Sequence, residues 1–109
     1  QNKCSYIYFG DTFLSNIVNY SWDPEKSRAN TYKHGYTFEQ IECFDWDFAI
    51  CLQEQVVFGE ARELWIGPII NKLATVVIVE KSDEEIRIIS MRCATNMEIA
   101  IWRKAFQNG

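Results

Sequence analysis

"RELWIGPIINKLATVVIVEKSDEEIRIISMRC", residues 62–93, decides the fold class. It holds three segments rich in β-branched and aromatic residues, 62–68, 73–81 and 85–93. Between them lie only 69–72 and 82–84, connections short enough for hairpins. Three strands joined this tightly pair antiparallel, as a meander.

Upstream, 17–22 is β-rich and reads as a first strand. The stretch "SWDPEKSRANTYKHGYTF", residues 21–38, then frames a helix. Asp23 can accept hydrogen bonds from the first free amides, and Pro24 fits the first helical position. Gly35 supplies a left-handed stop, with Lys33 and His34 at the negative helix end. Inside, little is apolar beyond Ala29 and Tyr32. Lys26, Asn30, Lys33 and His34 fall at i, i+4, i+7 and i+8, one polar, cationic face. Thr37 with Gln40 is a capping-box pattern, and Phe38, Ile41 and Phe44 form the buried stripe of a second helix. Residues 48–52 read as a short strand, and 53–59 fit no pattern clearly. Thr95 with Glu98 caps a last helix over 97–106. The order β-α-α-β-β-β-β-α is α+β: an antiparallel sheet of about four to five strands, two N-terminal helices packed on it, and a C-terminal helix.

The 109 residues suffice for one domain, and 48% hydrophobic content argues for a real core. Net charge is −4, so any phosphate-binding surface depends on how Lys and Arg are distributed, not on their sum. The four cysteines, Cys4, Cys43, Cys51 and Cys93, have no C-x-x-C spacing, and His34 is the single histidine. That argues against a zinc site and for free thiols in a reducing cytosol; no cofactor is implied. No run has the length of a membrane span, and residues 1–16 lack the pattern of a signal peptide.

Basic residues gather at Lys26, Arg28, Lys33 and His34 on the first helix, then at Arg62, Arg87 and Arg92 on the strands. Strict alternation along "EIRIISMRC" puts Ile86, Ile88, Ser90 and Arg92 on one face and Arg87, Ile89 and Met91 on the other. Arginines within an apolar run need a carboxylate, water or a phosphate, which guanidinium grips bidentately. One histidine cannot supply a two-histidine acid–base mechanism, and there is no triad spacing and no Gly-rich phosphate loop.

The motifs themselves go further. Trp22, Asp23, Lys26, Asn30, Lys33, His34, Gly35 and Phe38 resemble the N-terminal signature of the BrnT family, the toxin half of a bacterial type II toxin–antitoxin pair. "EARELWIG" is similar to the family's Glu-x-Arg…Ile-Gly strand, and "IRIISMRCAT" with Glu98 to its second signature. The resemblance covers about residues 17–106, leaving 1–16 as an N-terminal extension and 17–109 as the toxin-like domain. It implies a RelE-like fold and a cytoplasmic, metal-independent endoribonuclease that arrests translation. It also implies a ribbon-helix-helix antitoxin (BrnA-like) that neutralises the toxin by direct binding, with operator DNA contacted through that antitoxin. Catalytic candidates carried over by position are Lys26, Lys33, His34, Arg62, Arg87 and Arg92. Arg87 or Arg92 would stabilise phosphate charge, and His34 or a lysine would move the proton. The family's usual basic positions near the C-terminus are here Cys93, Asn96, Met97 and Ile99. The last helix is apolar on most of its circumference, so Met97, Ile101, Trp102 and Phe106 are the expected partner surface, for antitoxin or a second copy. A toxin-like interaction protein with weakened cleavage, acting as co-repressor, is the alternative reading.

Overall fold

The computed structural model describes residues 18–107. The extension 1–16, Cys4 and the start of the first expected strand at Ile17 lie outside the described residues. The elements run β1 (Asn19–Ser21), α1 (Pro24–His34), a 3₁₀ helix (Phe38–Cys43), a 3₁₀ turn (Trp46–Phe48), β2 (Ile50–Val57), β3 (Glu60–Ile69), β4 (Lys72–Ser82), β5 (Glu85–Cys93) and α2 (Asn96–Gln107). One five-stranded sheet has the order β1-β5-β4-β3-β2.

The meander β3–β4–β5 forms as its short connections require, and β2 extends it antiparallel to β3. The sheet is nonetheless mixed, not antiparallel as expected. β1 runs parallel to β5, pairing Asn19 with Glu85 and Ser21 with Arg87. A parallel neighbour needs a long crossover, and everything from α1 to β4 serves as one.

The second expected helix is a 3₁₀ helix of six residues. Phe38, Ile41 and Phe44 recur every third residue, the 3₁₀ period, which stacks them on one line. The chain then leaves at once, because the Asp45 amide donates to the Pro68 carbonyl at 2.9 Å. Tyr36, Phe38, Ile41 and Phe44 cover Ile69, Ala74, Val76, Ile78, Ile88 and Met91 as the core. Gly67 is small because a Cβ there would come within 2.8 Å of Ala49 Cβ and of the Phe44 ring.

The β2–β3 turn is Phe58-Gly59, with φ of 51° and 80°. Two consecutive positive φ values make a tight hairpin whose twist suits its strands. Phenylalanine is a poor choice for that conformation, so residues 53–59 carried no turn signal. Strand β2 begins two residues later than the expected 48–52 segment and runs on through 53–57.

Helix α1 has the ends its sequence announces. Asp23 Oδ1 accepts from the Glu25 amide at 2.9 Å, and Gly35, at φ 83°, donates to Thr31 O. Its lack of apolar residues has a local cause. Asn30, only 7% exposed, donates to the carbonyls of Tyr36 (2.9 Å) and Met91 (2.8 Å) and accepts from the Met91 amide (3.2 Å). One side chain thus closes the β5 edge beyond the short β1. Ser27 Oγ accepts from the Phe38 amide, and Thr31 Oγ donates to a carbonyl of the same connection. The helix is held by hydrogen bonds instead of apolar burial. Asn30 therefore leaves the cationic face on which its spacing had placed it. Asn30→Ala removes three hydrogen bonds and strands both Met91 backbone groups, while the Tyr36 carbonyl keeps Thr31 Oγ1; a loss of about 2–4 kcal/mol is expected, read as a lowered urea midpoint.

The cysteines also depart from expectation. Cys43 is disulfide-bonded, while Cys51 and Cys93 are free. The thiol argument for a reducing compartment is thereby lost.

Candidate functional site

Cross-strand pairing sorts the charges. Arg62 on β3 pairs with Val79 on β4, and Val79 pairs with Arg87 on β5. Directly paired residues share a face, so Arg62 and Arg87 stand on the same side of the sheet. Two strand spacings put their Cα atoms about 10 Å apart.

Arg92 joins that side through a β-bulge. Ser90 pairs with Val77 but Ile88 pairs with Ile78, which leaves Ile89 as the extra residue. Past the bulge the alternation inverts. Arg87, Ser90 and Arg92 share one face, while Ile88 (2% exposed) and Met91 (0%) share the core face. The face assignment read from strict alternation, which separated Arg87 from Arg92, is corrected accordingly.

Glu54, Glu63 and Glu80 fall on the other side. Glu54 pairs with Glu63, which follows Arg62 and so points away from it. Hydrogen bonding with Glu63, then burial, raises the Glu80 carboxyl above its ordinary value. A chain of net charge −4 therefore still gathers three arginines on one face of the sheet.

Each carboxylate on the arginine face is engaged. Glu98 Oε1 and Oε2 accept from Arg92 Nη1 and Nη2, both at 2.9 Å. Glu98 Oε1 also accepts from Thr75 Oγ1 (2.7 Å) and the Thr95 amide (2.8 Å). The expected Thr95–Glu98 capping box is thus made, and it ties α2 to β4 and β5. The adjoining guanidinium holds the Glu98 carboxyl down at about 2, and Glu98 in turn raises Arg92. Glu85 accepts from Ser21 Oγ at 2.9 Å. Glu60 lies 3.9 Å from Arg62 and 3.6 Å from Lys81. Half-buried Arg87 makes no hydrogen bond or ion pair among the described residues.

Of the expected site residues, the structure brings together Arg62, Arg87 and Arg92. Lys26 and Lys33 stay exposed on α1. His34 lines a separate cavity of about 290 Å³ with Tyr36, Ile70, Lys72 and Cys93. There the Tyr36 hydroxyl lies 3.7 Å from Cys93 Sγ, and burial with that contact pushes Tyr36 up to about 12. On α2, Trp102 donates to the Phe48 carbonyl at 2.7 Å and stacks with Phe106, while Met97 is 74% exposed and Ile101 37%.

Sequence reasoning passed over Glu60 as a site residue. Its signal was the Glu-x-Arg spacing itself, since i and i+2 share a strand face. No group of His, Cys, Asp and Glu suited to a metal occurs among the described residues. Among them, too, no helix is long and apolar enough to cross a membrane.

The comparisons with known proteins agree with this frame. The 1.1 Å crystal structure of the Brucella abortus ribonuclease toxin BrnT superposes with a TM-score of 0.56 at 23% identity, over 73% of this chain and 100% of that one. No curated protein sequence matches the chain. Residues 22–98 match the family described as the ribonuclease toxin, BrnT, of type II toxin–antitoxin systems. The match spans α1, all the paired strands from β2 to β5 and the Arg92–Glu98 cap, and the chain belongs to the BrnT family of ribonuclease toxins.

Proposed function

We propose that the arginine face binds single-stranded RNA and cleaves it without a metal, arresting translation in the bacterial cytoplasm. The observation that carries this reading is Arg87. It is a half-buried guanidinium with no partner among the described residues, on the same face as Arg62.

In this chemistry the ribose 2′-oxygen attacks the adjacent phosphorus. The P–O5′ bond breaks, and a 2′,3′-cyclic phosphate and a 5′-hydroxyl result. Arg87 holds the phosphate oxygens as charge builds on them, with Arg62 beside it on the same face. Glu60, beside Arg62, is placed to accept the 2′-hydroxyl proton. Lys26 and Lys33 on α1, with His34 at its end in the separate cavity, would guide the strand away from the cut. Arg92, already gripped by Glu98, contributes first by holding α2 against the sheet.

The antitoxin partner that the family implies is, in this proposal, a BrnA-like ribbon-helix-helix protein, through which the complex reaches operator DNA. Its docking surface is α2, with Met97 and Ile101 exposed beside Trp102 and Phe106. The toxin domain is RelE-like and spans 17–109, with 1–16 as an extension. The co-repressor reading, in which cleavage is weakened, draws on one observation: Arg92 is committed to an internal ion pair.

Incubating the purified chain with single-stranded RNA, with and without EDTA, tests the proposal. Cyclic-phosphate ends that persist in EDTA are expected. Intact RNA at concentrations where the chain is folded would overturn it and leave the co-repressor reading.

A further inference from the structure

Arg62 does more than share a face with Arg87. Its Nε is buried and has no acceptor among the described residues. Such a buried donor costs about 1–3 kcal/mol, and with Nε turned inward the part-exposed outer edge of the guanidinium is what meets the space beside it. Around Arg62 lies a cavity of about 150 Å³, with Gln53, Gln55, Val57, Glu63, Leu64 and Val77 as its other walls. Gln53 and Gln55 reach it because β2 has its own bulge between Cys51 and Gln53. That shift aligns them with Leu64 and Arg62 on the arginine face. Neither glutamine amide has a side-chain hydrogen bond among the described residues.

The lining has two halves. Val57, Leu64 and Val77 are aliphatic and suit the flat faces of an aromatic ring. Gln53, Gln55 and Arg62 offer amide and guanidinium groups at its rim. A phosphate would want more cations and fewer aliphatic walls. A nucleobase wants this combination: apolar faces, with donors and acceptors at the edge. Arginine pairs bidentately with the O6/N7 edge of guanine, and glutamine with the N6/N7 edge of adenine. Both edges belong to purines, and pyrimidines have neither.

We propose that this cavity is a purine subsite, which holds the base next to the phosphate gripped by Arg87. The inference rests on the RNA-cleaving reading and adds a specificity to it: a purine at one fixed position beside the scissile bond. Gln53, Gln55 and the outer edge of the Arg62 guanidinium read the base, and Arg87 handles the phosphate whatever the sequence.

Two measurements test it. The first is cleavage of short single-stranded RNAs that differ at one base beside the cut. The expected result is at least a tenfold preference for a purine, reduced to under threefold by Gln53→Ala/Gln55→Ala. Arg87→Ala should lower cleavage of every oligonucleotide alike. A preference unchanged in the double glutamine variant, or no preference in the unmutated chain, overturns the subsite. The second measurement is independent of cleavage: titration of the unmutated chain with GMP, AMP, CMP and UMP, followed by the NMR signals of the glutamine side-chain amides. Shifts at Gln53 and Gln55 with the purine nucleotides only support the subsite; equal shifts with all four, or none, overturn it. If no RNA is cleaved at all, the RNA-cleaving reading falls while the titration still decides the subsite.

Discussion

Arg87→Ala is expected to lower RNA cleavage by about 100- to 1,000-fold, the usual cost of removing one preorganised group from a developing charge. The fold should persist. Arg87 anchors no other side chain among the described residues, so the thermal midpoint should change by the equivalent of less than about 1 kcal/mol. Arg87→Lys keeps the charge but loses the planar fork, and partial recovery is expected. Cleavage rates and melting curves on the same preparations check this. A variant that cleaves normally would remove Arg87 from the site. A variant that unfolds would show its role to be structural.

The second large effect concerns stability. Glu98→Ala removes a carboxylate that binds Arg92, Thr75 and the Thr95 amide at once. It leaves a partly buried guanidinium and a buried hydroxyl without their acceptor. Breaking one partner of such a pair costs about 3 kcal/mol, or roughly 10–20 °C in the midpoint for a domain of this size. The Arg87 and Glu98 variants should therefore separate, one losing activity and the other stability.

Acid titration provides a second reading of the same carboxylate. The folded Glu98 carboxyl sits at about 2, against an ordinary value of 4.5. Its stabilisation is complete above about 4.5 and is lost as pH falls from there toward 2. Glu98→Gln should flatten this part of the stability profile. Glu80 acts in the opposite sense. Its raised carboxyl favours protonation in the folded chain, so acidification first relieves its repulsion with Glu63. Urea midpoints measured between pH 6 and 3 for the parent chain and Glu98→Gln check the sign.

Local signals were readable along the chain wherever the interaction spans a few residues. Asp23, Pro24 and Gly35 determined where α1 begins and ends, because caps bind amides and carbonyls within one turn. Thr95 and Glu98 determined the start of α2 in the same way. The short connections of 62–93 determined the antiparallel meander. The signature residues pointed to the family that residues 22–98 match.

What the sequence could not decide depends on residues far apart. The partner of β1 is 66 positions away, and no local preference specifies a parallel mate. Phe58 hid the β2 hairpin because a turn of that shape ordinarily uses Asn or Gly. Asn30 looked like part of a cationic face until the β5 edge, 61 residues on, claimed its amide. Most consequential is the bulge at Ile89. Alternation along one strand can be read from the strand alone, but a bulge is a mismatch between two strands, and it exists only once β4 and β5 pair. The sequence by itself determined that this chain carries Arg62, Arg87 and Arg92 on strands. Only the tertiary structure decided that the three share a face, that Glu98 holds one of them, and that Arg87 has no side-chain partner among the described residues.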